Sequence, residues 1–290
     1  MNDLIDSQLQ ALQIKSKHLV DSLLSGKYRT CFKGQGLEFE DSRQYYPGDD
    51  IRHIDWRVTA RTRIPHTKRY LEERELNLSF LLDCSASMRW GNADRNKIQT
   101  AQEIISTLSY AALKNNDRAG FVACSDKIEG FVPAGRGRNQ HSRILHELLS
   151  LSPKSKQTDL SQGLNFIEKT CSHRNIIFIL SDLLCDNYDT SLQALSEKHD
   201  IIVLLISDTL EKNFSNAGLI HLSDSESGED FYYDSSQAKN REAFRNHSIQ
   251  QRKHSLDHCQ TRNVDVIEID TAVDFMAPLI QFFQHRHILR

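Results

Sequence analysis

The chain has 290 residues, which is enough to bury one large hydrophobic core. Its 36 basic residues and 39 acidic residues give a formal net charge of −3, so no overall basic field draws it to nucleic acid or to anionic lipid. The six cysteines are scattered and form no CxxC pair, which predicts reduced thiols, and no signal-peptide pattern is found, which predicts a cytoplasmic protein. The apolar runs are short, so no membrane-spanning segment is predicted.

The first quarter of the chain differs in pattern from the rest. Apolar residues at helical spacing predict an amphipathic helix over residues 4–24. From 28 to 75 this periodicity is lost, and the sequence YPGDD at residues 46–50 predicts a turn. We therefore expect residues 1–75 to form an N-terminal helix and an irregular, strand-containing extension, and residues 76–290 to form the main domain.

The extension carries a cluster of charged residues around a tryptophan. Such clusters more often form internal ion pairs that hold irregular backbone than surfaces that bind a partner, and we leave both interpretations open. Trp56 is predicted to be a packing anchor. The cluster contains Arg43, Asp49, Asp50, Arg52, Asp55, Trp56 and Arg61.

From residue 76 onward, short apolar runs alternate with amphipathic stretches. Strands are predicted at 76–82, 119–123, 128–132, 175–180, 201–206 and 264–269. Helices are predicted at 97–113, 142–151, 160–170, 190–197 and 242–259, with a last one ending near 283. This order predicts an α/β domain with a doubly wound, mostly parallel sheet covered by helices on both faces. The acidic segment 223–230 is predicted to be an exposed turn or hairpin tip.

Oxygen-bearing side chains follow the first predicted strand of this sheet. Asp83 ends the strand, and two hydroxyls follow at a spacing of two, on Ser85 and Ser87. In a sheet of this class, ligands bind beyond the carboxyl ends of the strands. Carboxylate and hydroxyl oxygens suit hard cations such as Mg²⁺, so the segment is a candidate metal site.

Two distant segments are expected to bring further oxygens to the same edge. Thr158 precedes a predicted helix that Asp159 would cap, and Asp182 follows the strand at 175–180. Because three separate segments converge, the pattern is more specific than any one of them. The alternative is that Ser85 and Asp182 simply cap the helices that follow them.

These motifs resemble those of a known domain. DCSAS, QTDLSQGL and ILSDLL are similar to the metal-ion-dependent adhesion site of von Willebrand factor A domains. The upstream stretch GQGLEFEDSRQYYPGDDIRHIDWRVTARTR, followed by KRYLEERELNLSFLLDCSASM, resembles the domain of unknown function 58 family. That family consists of bacterial proteins often encoded beside MoxR-type AAA+ ATPases. The resemblance covers roughly residues 28–208.

The resemblance implies a ligand set and a function. Ser85, Ser87 and Thr158 would supply hydroxyl ligands to Mg²⁺ (or Mn²⁺ or Ca²⁺), and Asp83 and Asp182 would act directly or through water. An acidic residue of a protein partner would complete the shell, and a MoxR-type AAA+ ATPase is the expected partner. A glycine pair often precedes the threonine in related domains, whereas residues 156–157 here are lysine and glutamine.

An enzymatic alternative uses the same strand end. In a Mg²⁺-dependent phosphatase or phosphotransferase, Asp83 would be the nucleophile. The phosphatase type with this placement has a second acid two residues later as general acid and base, but that position is Ser85. We therefore predict a non-enzymatic interaction module. Cys84 has no coupled histidine motif and is predicted to be a small buried residue.

Overall fold

The fold was analysed in a computed structural model. It describes residues 2–21, 37–72, 75–92, 95–153, 155, 157–185, 187–212, 216–223 and 229–289. Among these residues, no helix combines the length and the apolar character needed to cross a membrane.

The elements follow one another along the chain as predicted for an α/β protein. The strands are β1 (Leu37–Gln44), β2 (His66–Glu72), β3 (Asn77–Asp83), β4 (Gly91–Asn92), β5 (Arg95–Asn96), β6 (Arg118–Cys124), β7 (Ile128–Gly135), β8 (Ile176–Ser181), β9 (Asp200–Ser207), β10 (Leu219–Ser223), β11 (Asp230–Asp234) and β12 (Asp265–Asp270). The helices are α1 (Asn2–Leu19), α2 (Trp56–Thr62), α3 (Lys97–Lys114), α4 (Arg138–Ser150), α5 (Leu160–Thr170), α6 (Asp189–Lys198), α7 (Thr209–Lys212), α8 (Ala238–Gln260) and α9 (Met276–Leu289).

The centre of the molecule is a six-stranded sheet in the order β12-β9-β8-β3-β6-β7. All neighbouring strands are parallel except β6 and β7, which are antiparallel. Because β3 lies in the middle with strands added on either side, the predicted doubly wound, mostly parallel sheet is confirmed. The carboxyl end of β3 is therefore the place where this class of sheet binds ligands.

Alternate residues of the central strands face two separate hydrophobic layers. Phe80 of β3 and Phe178 of β8 stack with ring centroids 5.5 Å apart, on the face covered by α1, α3, α4 and α9. Leu81 points to the opposite face, under α5 and α6. Since both faces are covered, β3 and β8 are almost continuously apolar, which is why their sequences predicted buried strands.

The N-terminal helix packs on the main domain. The hydroxyls of Ser16 and Ser106 on α3 are 2.6 Å apart in a buried contact, and Lys15 pairs with Glu103 at 2.6 Å. Val20, just beyond α1, lies in the same core layer as α3. The helix is confirmed over Asn2–Leu19, whereas the rest of its predicted range falls partly outside the described residues. The division of the chain at residue 75 stays a prediction.

The extension contains a hairpin and a short helix that the sequence did not reveal. Strands β1 and β2 pair antiparallel, and α2 lies in the connection between them. Asp55 starts this helix because its carboxylate accepts the backbone N–H groups of Arg57 and Val58, each at 3.1 Å. Trp56, the first helical residue, is 70% exposed, so its prediction as a packing anchor was wrong.

The acidic segment 223–230 connects two paired strands. β10 and β11 form an antiparallel hairpin in which Ser223 pairs with Asp230. Residues 224–228, at the predicted tip, lie outside the described residues.

Helix α5 approaches the sheet closely at Gly163. A Cβ atom there would lie 2.7 Å from Cys124 Sγ and 2.7 Å from Leu81 Cδ1.

On an exposed helical site, Gly→Ala stabilises by about 1 kcal/mol. Here we expect Gly163→Ala to lower the free energy of unfolding by ~1–3 kcal/mol, measured by urea denaturation, because the helix must move off the sheet. Exposed Lys169→Ala on the same helix serves as the control, and a stabilised Gly163→Ala would contradict the packing.

Candidate metal site

The carboxylate of Asp83 is buried at the end of β3. The residue is 1% exposed, and both of its carboxylate oxygens accept hydrogen bonds. Oδ1 accepts the backbone N–H of Ser85 at 2.9 Å, and Oδ2 accepts the hydroxyl of Ser181 at 2.7 Å. Each carboxylate oxygen has two lone-pair positions, so each keeps one acceptor position after these bonds. Asp83 is thus held in one orientation, and its remaining lone pairs can coordinate a cation or accept a hydrogen bond from a water molecule on that cation.

Two hydroxyls stand side by side just after the strand. The oxygens of Ser85 and Ser87 are 3.0 Å apart, and the chain then makes a short 3₁₀ turn over Ser87–Arg89. Adjacent ligands of an octahedral Mg²⁺ ion are ~3.0 Å apart, since Mg–O bonds are about 2.1 Å and the ligands meet at right angles. The turn begins after Ala86 without a side-chain cap, so Ser85 does not cap it. The spacing of the two hydroxyls therefore fits one edge of a Mg²⁺ shell.

Asp182 lies at the end of the neighbouring strand β8, where a buried lysine holds it. Lys97, the first residue of α3, places its Nζ 2.6 Å from Asp182 Oδ2 and 2.5 Å from Glu211 of α7. The Lys97 side chain is fully buried. The other oxygen of Asp182 accepts the backbone N–H of Leu184 at 3.2 Å. Because one oxygen of Asp182 is already paired with the buried ammonium of Lys97, Asp182 suits contact with a cation through water better than direct coordination.

Burial governs the protonation of this group of side chains. Burial, and then the neighbouring Asp182 carboxylate, raise the pKa of Asp83 to about 6. Burial alone would lower the pKa of Lys97, but Asp182 and Glu211 outweigh it and raise that pKa. Burial also raises the pKa of Glu211, against the opposing effect of Lys97. The lysine therefore stays charged, whereas the proton on Asp83 competes with a cation at mildly acidic pH.

Thr158 reaches the same edge of the sheet on the other side of β3. The backbone N–H of Asp159 donates to the carbonyl of Ser125 at 3.0 Å, and Ser125 follows Cys124, which pairs with Asp83. Thr158 is half-buried, directly before the cap of α5. The loop that bears Thr158 and the strand end that bears Asp182 thus flank Asp83, Ser85 and Ser87.

The donor set depends on hydroxyls rather than on clustered acids. Within the described parts of the chain, no three His, Cys, Asp or Glu side chains are grouped to hold a metal ion. What β3 offers is one buried carboxylate and two adjacent hydroxyls, a set suited to Mg²⁺ and not to a softer metal. Asp83, Ser85 and Ser87 fit such an ion, and the assignment of all five residues as ligands stays a prediction.

Three residues of this site were missed from the sequence. Ser181 contacts Asp83 because the two residues directly follow Leu180 and Leu82, the last paired residues of the two neighbouring strands. Lys97 is 85 residues away from Asp182 in the sequence and 114 residues away from Glu211. Only the serine before Asp182 could have been found, by extending the strand register. A lysine at the start of an amphipathic helix carries no sequence signal of burial.

Two cysteines beside the site are buried. Burial raises the pKa of the thiols of Cys84 and Cys124, which disfavours the thiolate form. The prediction that Cys84 is a small buried residue is confirmed.

The buried Lys97 ion pair makes a strong prediction for stability. Lys97→Met leaves the buried Asp182 and the half-buried Glu211 without a cation and should lower the free energy of unfolding by ~3–5 kcal/mol. Urea denaturation measures this free energy. Combining Lys97→Met with Asp182→Asn and Glu211→Gln should recover a large part of the lost unfolding free energy. The matched control is Lys114→Met at the other end of α3, whose pair with Asp21 is exposed and should cost less than about 1 kcal/mol. Equal losses in the two single variants would contradict the ion pair.

The raised pKa of Asp83 predicts a pH dependence in metal-free buffer. The folded protein binds a proton on Asp83 more tightly than the unfolded chain, so this contribution to stability is present at low pH. It is lost as pH rises from 3.8 to about 6. Relative to Asp83→Asn, the wild type should therefore lose up to ~3 kcal/mol of unfolding free energy across that window. A difference between the two proteins that is constant with pH would contradict the shift.

Comparison with known proteins identifies a family and relatives that match most of the chain. A family model described as "Protein of unknown function DUF58" matches residues 41–254. Uncharacterized proteins of Mycobacterium bovis and Mycobacterium tuberculosis are 29% identical over 223 residues, covering 76% of this chain and 70% of each relative.

Solved structures show weaker similarity. An aerotolerance-related membrane protein from Bacteroides fragilis has 16% identity and a TM-score of 0.49, covering 74% of this chain and 100% of that one. BatB from Bacteroides thetaiotaomicron has 14% identity and a TM-score of 0.48 with the same coverage. The VWA domain of SpRpn10 has 13% identity and a TM-score of 0.38, covering 72% and 95%.

Proposed function

We propose that this chain, which belongs to the DUF58 family of proteins of unknown function, is a non-enzymatic protein-interaction module that works through a divalent cation. The cation is Mg²⁺, with Mn²⁺ or Ca²⁺ as substitutes, and it bridges the chain to an acidic residue of a protein partner. Ser85, Ser87 and Thr158 are the proposed hydroxyl ligands. Asp83 and Asp182 are proposed to hold the ion directly or through water.

One observation carries the proposal. The hydroxyls of Ser85 and Ser87 lie 3.0 Å apart beside the buried carboxylate of Asp83, at the carboxyl end of the central strand. A pair of hydroxyls with this spacing matches one edge of a Mg²⁺ shell. The hydrogen bonds to Asp83 from Ser181 and from the Ser85 backbone keep the carboxylate in place, so little ordering is needed when the ion arrives.

The charges around the site favour an acidic partner. Hydroxyl ligands carry no charge, and Lys97 offsets part of the carboxylate charge at Asp182. A divalent cation held here keeps positive charge that an outside carboxylate can satisfy, and Mg²⁺ commonly keeps exchangeable waters that such a ligand replaces. When bound, the cation would supply a localised positive charge at the edge of the sheet, where a carboxylate of the partner can coordinate it.

The proposed partner is a MoxR-type AAA+ ATPase in the cytoplasm. This proposal comes from the family resemblance of residues 28–208, since such ATPases are often encoded beside members of this family. The structure supports it only in offering an edge where hydroxyls and carboxylates from three segments converge.

The phosphotransfer alternative has less support. With Asp83 as the nucleophile, a second acid would be needed two residues later as general acid and base. Ser85 stands at that position. Metal-dependent hydrolysis of p-nitrophenyl phosphate that disappears in Asp83→Asn would nevertheless overturn the non-enzymatic function.

Two linked measurements test the proposal. Calorimetric titration with MgCl₂ should show one binding event, lost in Asp83→Ala and weakened about tenfold in Ser87→Ala, which removes one ligand from a half-buried position. Pull-down of the co-encoded ATPase at constant Mg²⁺ should weaken in the same order. Chelation is avoided because the ATPase needs Mg²⁺ for its own nucleotide.

Asp257→Ala, which removes an exposed carboxylate from α8, is the matched control and should change neither measurement. Thermal unfolding of each variant verifies that it is folded. Equal binding heats for wild type and folded Ser87→Ala would rule out the metal site. Metal binding without any effect of Ser87→Ala on the pull-down would rule out the bridging role.

A further inference from the structure

Helix α2 presents a face with an unusual composition. Trp56, Arg57, Ala60 and Arg61 are all exposed, at the i, i+1, i+4 and i+5 positions of one helical face. Val58 and Thr59 are half-buried on the other side. The helix therefore turns its aromatic and basic side chains to solvent, the reverse of a helix whose tryptophan anchors it to a core.

This helix is held firmly although it has only seven residues. A helix so short is marginal by itself and depends on its caps and neighbours. Asp55 caps it and also accepts the hydroxyl of Ser42 on β1 at 2.6 Å, while the backbone N–H of Asp55 donates to the carbonyl of His66 at 2.8 Å. His66 N–H in turn donates to the hydroxyl of Thr59 at 3.0 Å. The exposed face is thus pre-organised on the β1-β2 hairpin.

Within the described part of the chain, the arginines of α2 and its C-cap have no carboxylate partner. Arg57, Arg61 and Arg63 form no ion pair with any carboxylate among the described residues, although four aspartates lie nearby in sequence. The aspartates are used otherwise, since Asp49 pairs with Arg43 and Asp50 with Arg52, each at 2.7 Å. Within the charged cluster, the three aspartates are therefore structural, whereas Arg61 faces solvent beside Arg57 and Arg63, which lie outside that cluster.

Large apolar side chains are exposed in the same stretch. Between residues 46 and 64, four of them are at least 46% exposed: Tyr46, Ile51, Trp56 and Ile64. Exposed apolar groups gathered in one segment mark interaction sites more often than isolated ones do. Every cation from residue 43 to residue 63, histidine apart, is an arginine and none is a lysine.

We propose that Trp56, Arg57, Arg61 and Arg63, here called the arginine–tryptophan face, bind an acidic segment of a partner protein that also carries apolar side chains. Guanidinium groups bind carboxylates through two parallel hydrogen bonds, and arginine and tryptophan dominate the energetics of protein interfaces. Nucleic acid fits less well, because the chain has a net charge of −3 and this basic face is small. An anionic membrane surface is typically bound by clusters of ~4–8 lysine or arginine side chains, whereas this face carries three arginines.

The arginine–tryptophan face does not use the candidate metal site. Its residues all lie between the strands of the β1-β2 hairpin, whereas the proposed metal ligands lie on the six-stranded sheet. The two sites can therefore be tested separately, with Ser87→Ala as a variant that leaves this face intact.

Selection from a random peptide library displayed on phage tests the proposal with the full chain. We expect enriched peptides to combine aspartate or glutamate with leucine or aromatic residues. In fluorescence polarisation, the double variant Arg57→Glu/Arg61→Glu should weaken their binding about a hundredfold, since two charge-assisted bonds become repulsions. Trp56→Ala should weaken it about tenfold. Arg245→Glu, at an exposed arginine of α8, and Ser87→Ala should leave it unchanged.

Thermal unfolding shows that each variant is folded, as expected for exposed positions. The proposal is overturned if no peptide is enriched, if enriched peptides lack an excess of acidic residues, or if they bind the double variant as well as the wild type. It is also overturned if a single-stranded oligonucleotide or phosphatidylserine vesicles bind through Arg57 and Arg61 more tightly than the selected peptides do.

Discussion

The buried ammonium group of Lys97 is the interaction on which the arrangement of the candidate site depends. It joins the start of α3 to Asp182 at the end of β8 and to Glu211 on α7, in a place where no side-chain surface of the lysine meets solvent. A buried charge without partners would be strongly destabilising, so these three elements cannot separate independently. Their closure fixes the carboxyl edge of the sheet, and with it the position of Asp182 relative to Asp83.

The two carboxylates at this edge, Asp182 and Asp83, have different partners. Asp182 is bound by the lysine and by the backbone, whereas Asp83 is held by uncharged donors, namely hydroxyls and a backbone N–H. Burial, and then the nearby Asp182 carboxylate, raise the pKa of Asp83 in spite of these hydrogen bonds. The neighbouring hydroxyls of Ser85 and Ser87 add ligand atoms without adding charge. A site of this kind attracts a further carboxylate, which is the basis of the proposed bridge to a partner.

The protein has two proposed binding surfaces, one at the edge of the six-stranded sheet and one on the β1-β2 hairpin extension. At the sheet edge, the functional groups are buried or half-buried and depend on packing in the core. On the arginine–tryptophan face, they are exposed and depend on the cap at Asp55 and on the hydrogen bonds to His66. Substitutions should therefore separate them: changes near Asp83 alter stability together with binding, and changes at Trp56 or Arg61 alter binding alone.

The sequence by itself determined the six strands of the central sheet and the helices between them, the doubly wound sheet, the cap at Asp159 and the strand end at Asp83, because these follow from local periodicity and from turn chemistry. Only the tertiary structure decided that Lys97 is buried and that Trp56 is exposed. The lysine is stabilised by Asp182 and Glu211, which are distant in sequence, and the direction of Trp56 depends on how α2 lies on its hairpin. Neither long-range pairing nor the orientation of a short capped helix leaves a periodic trace in the sequence.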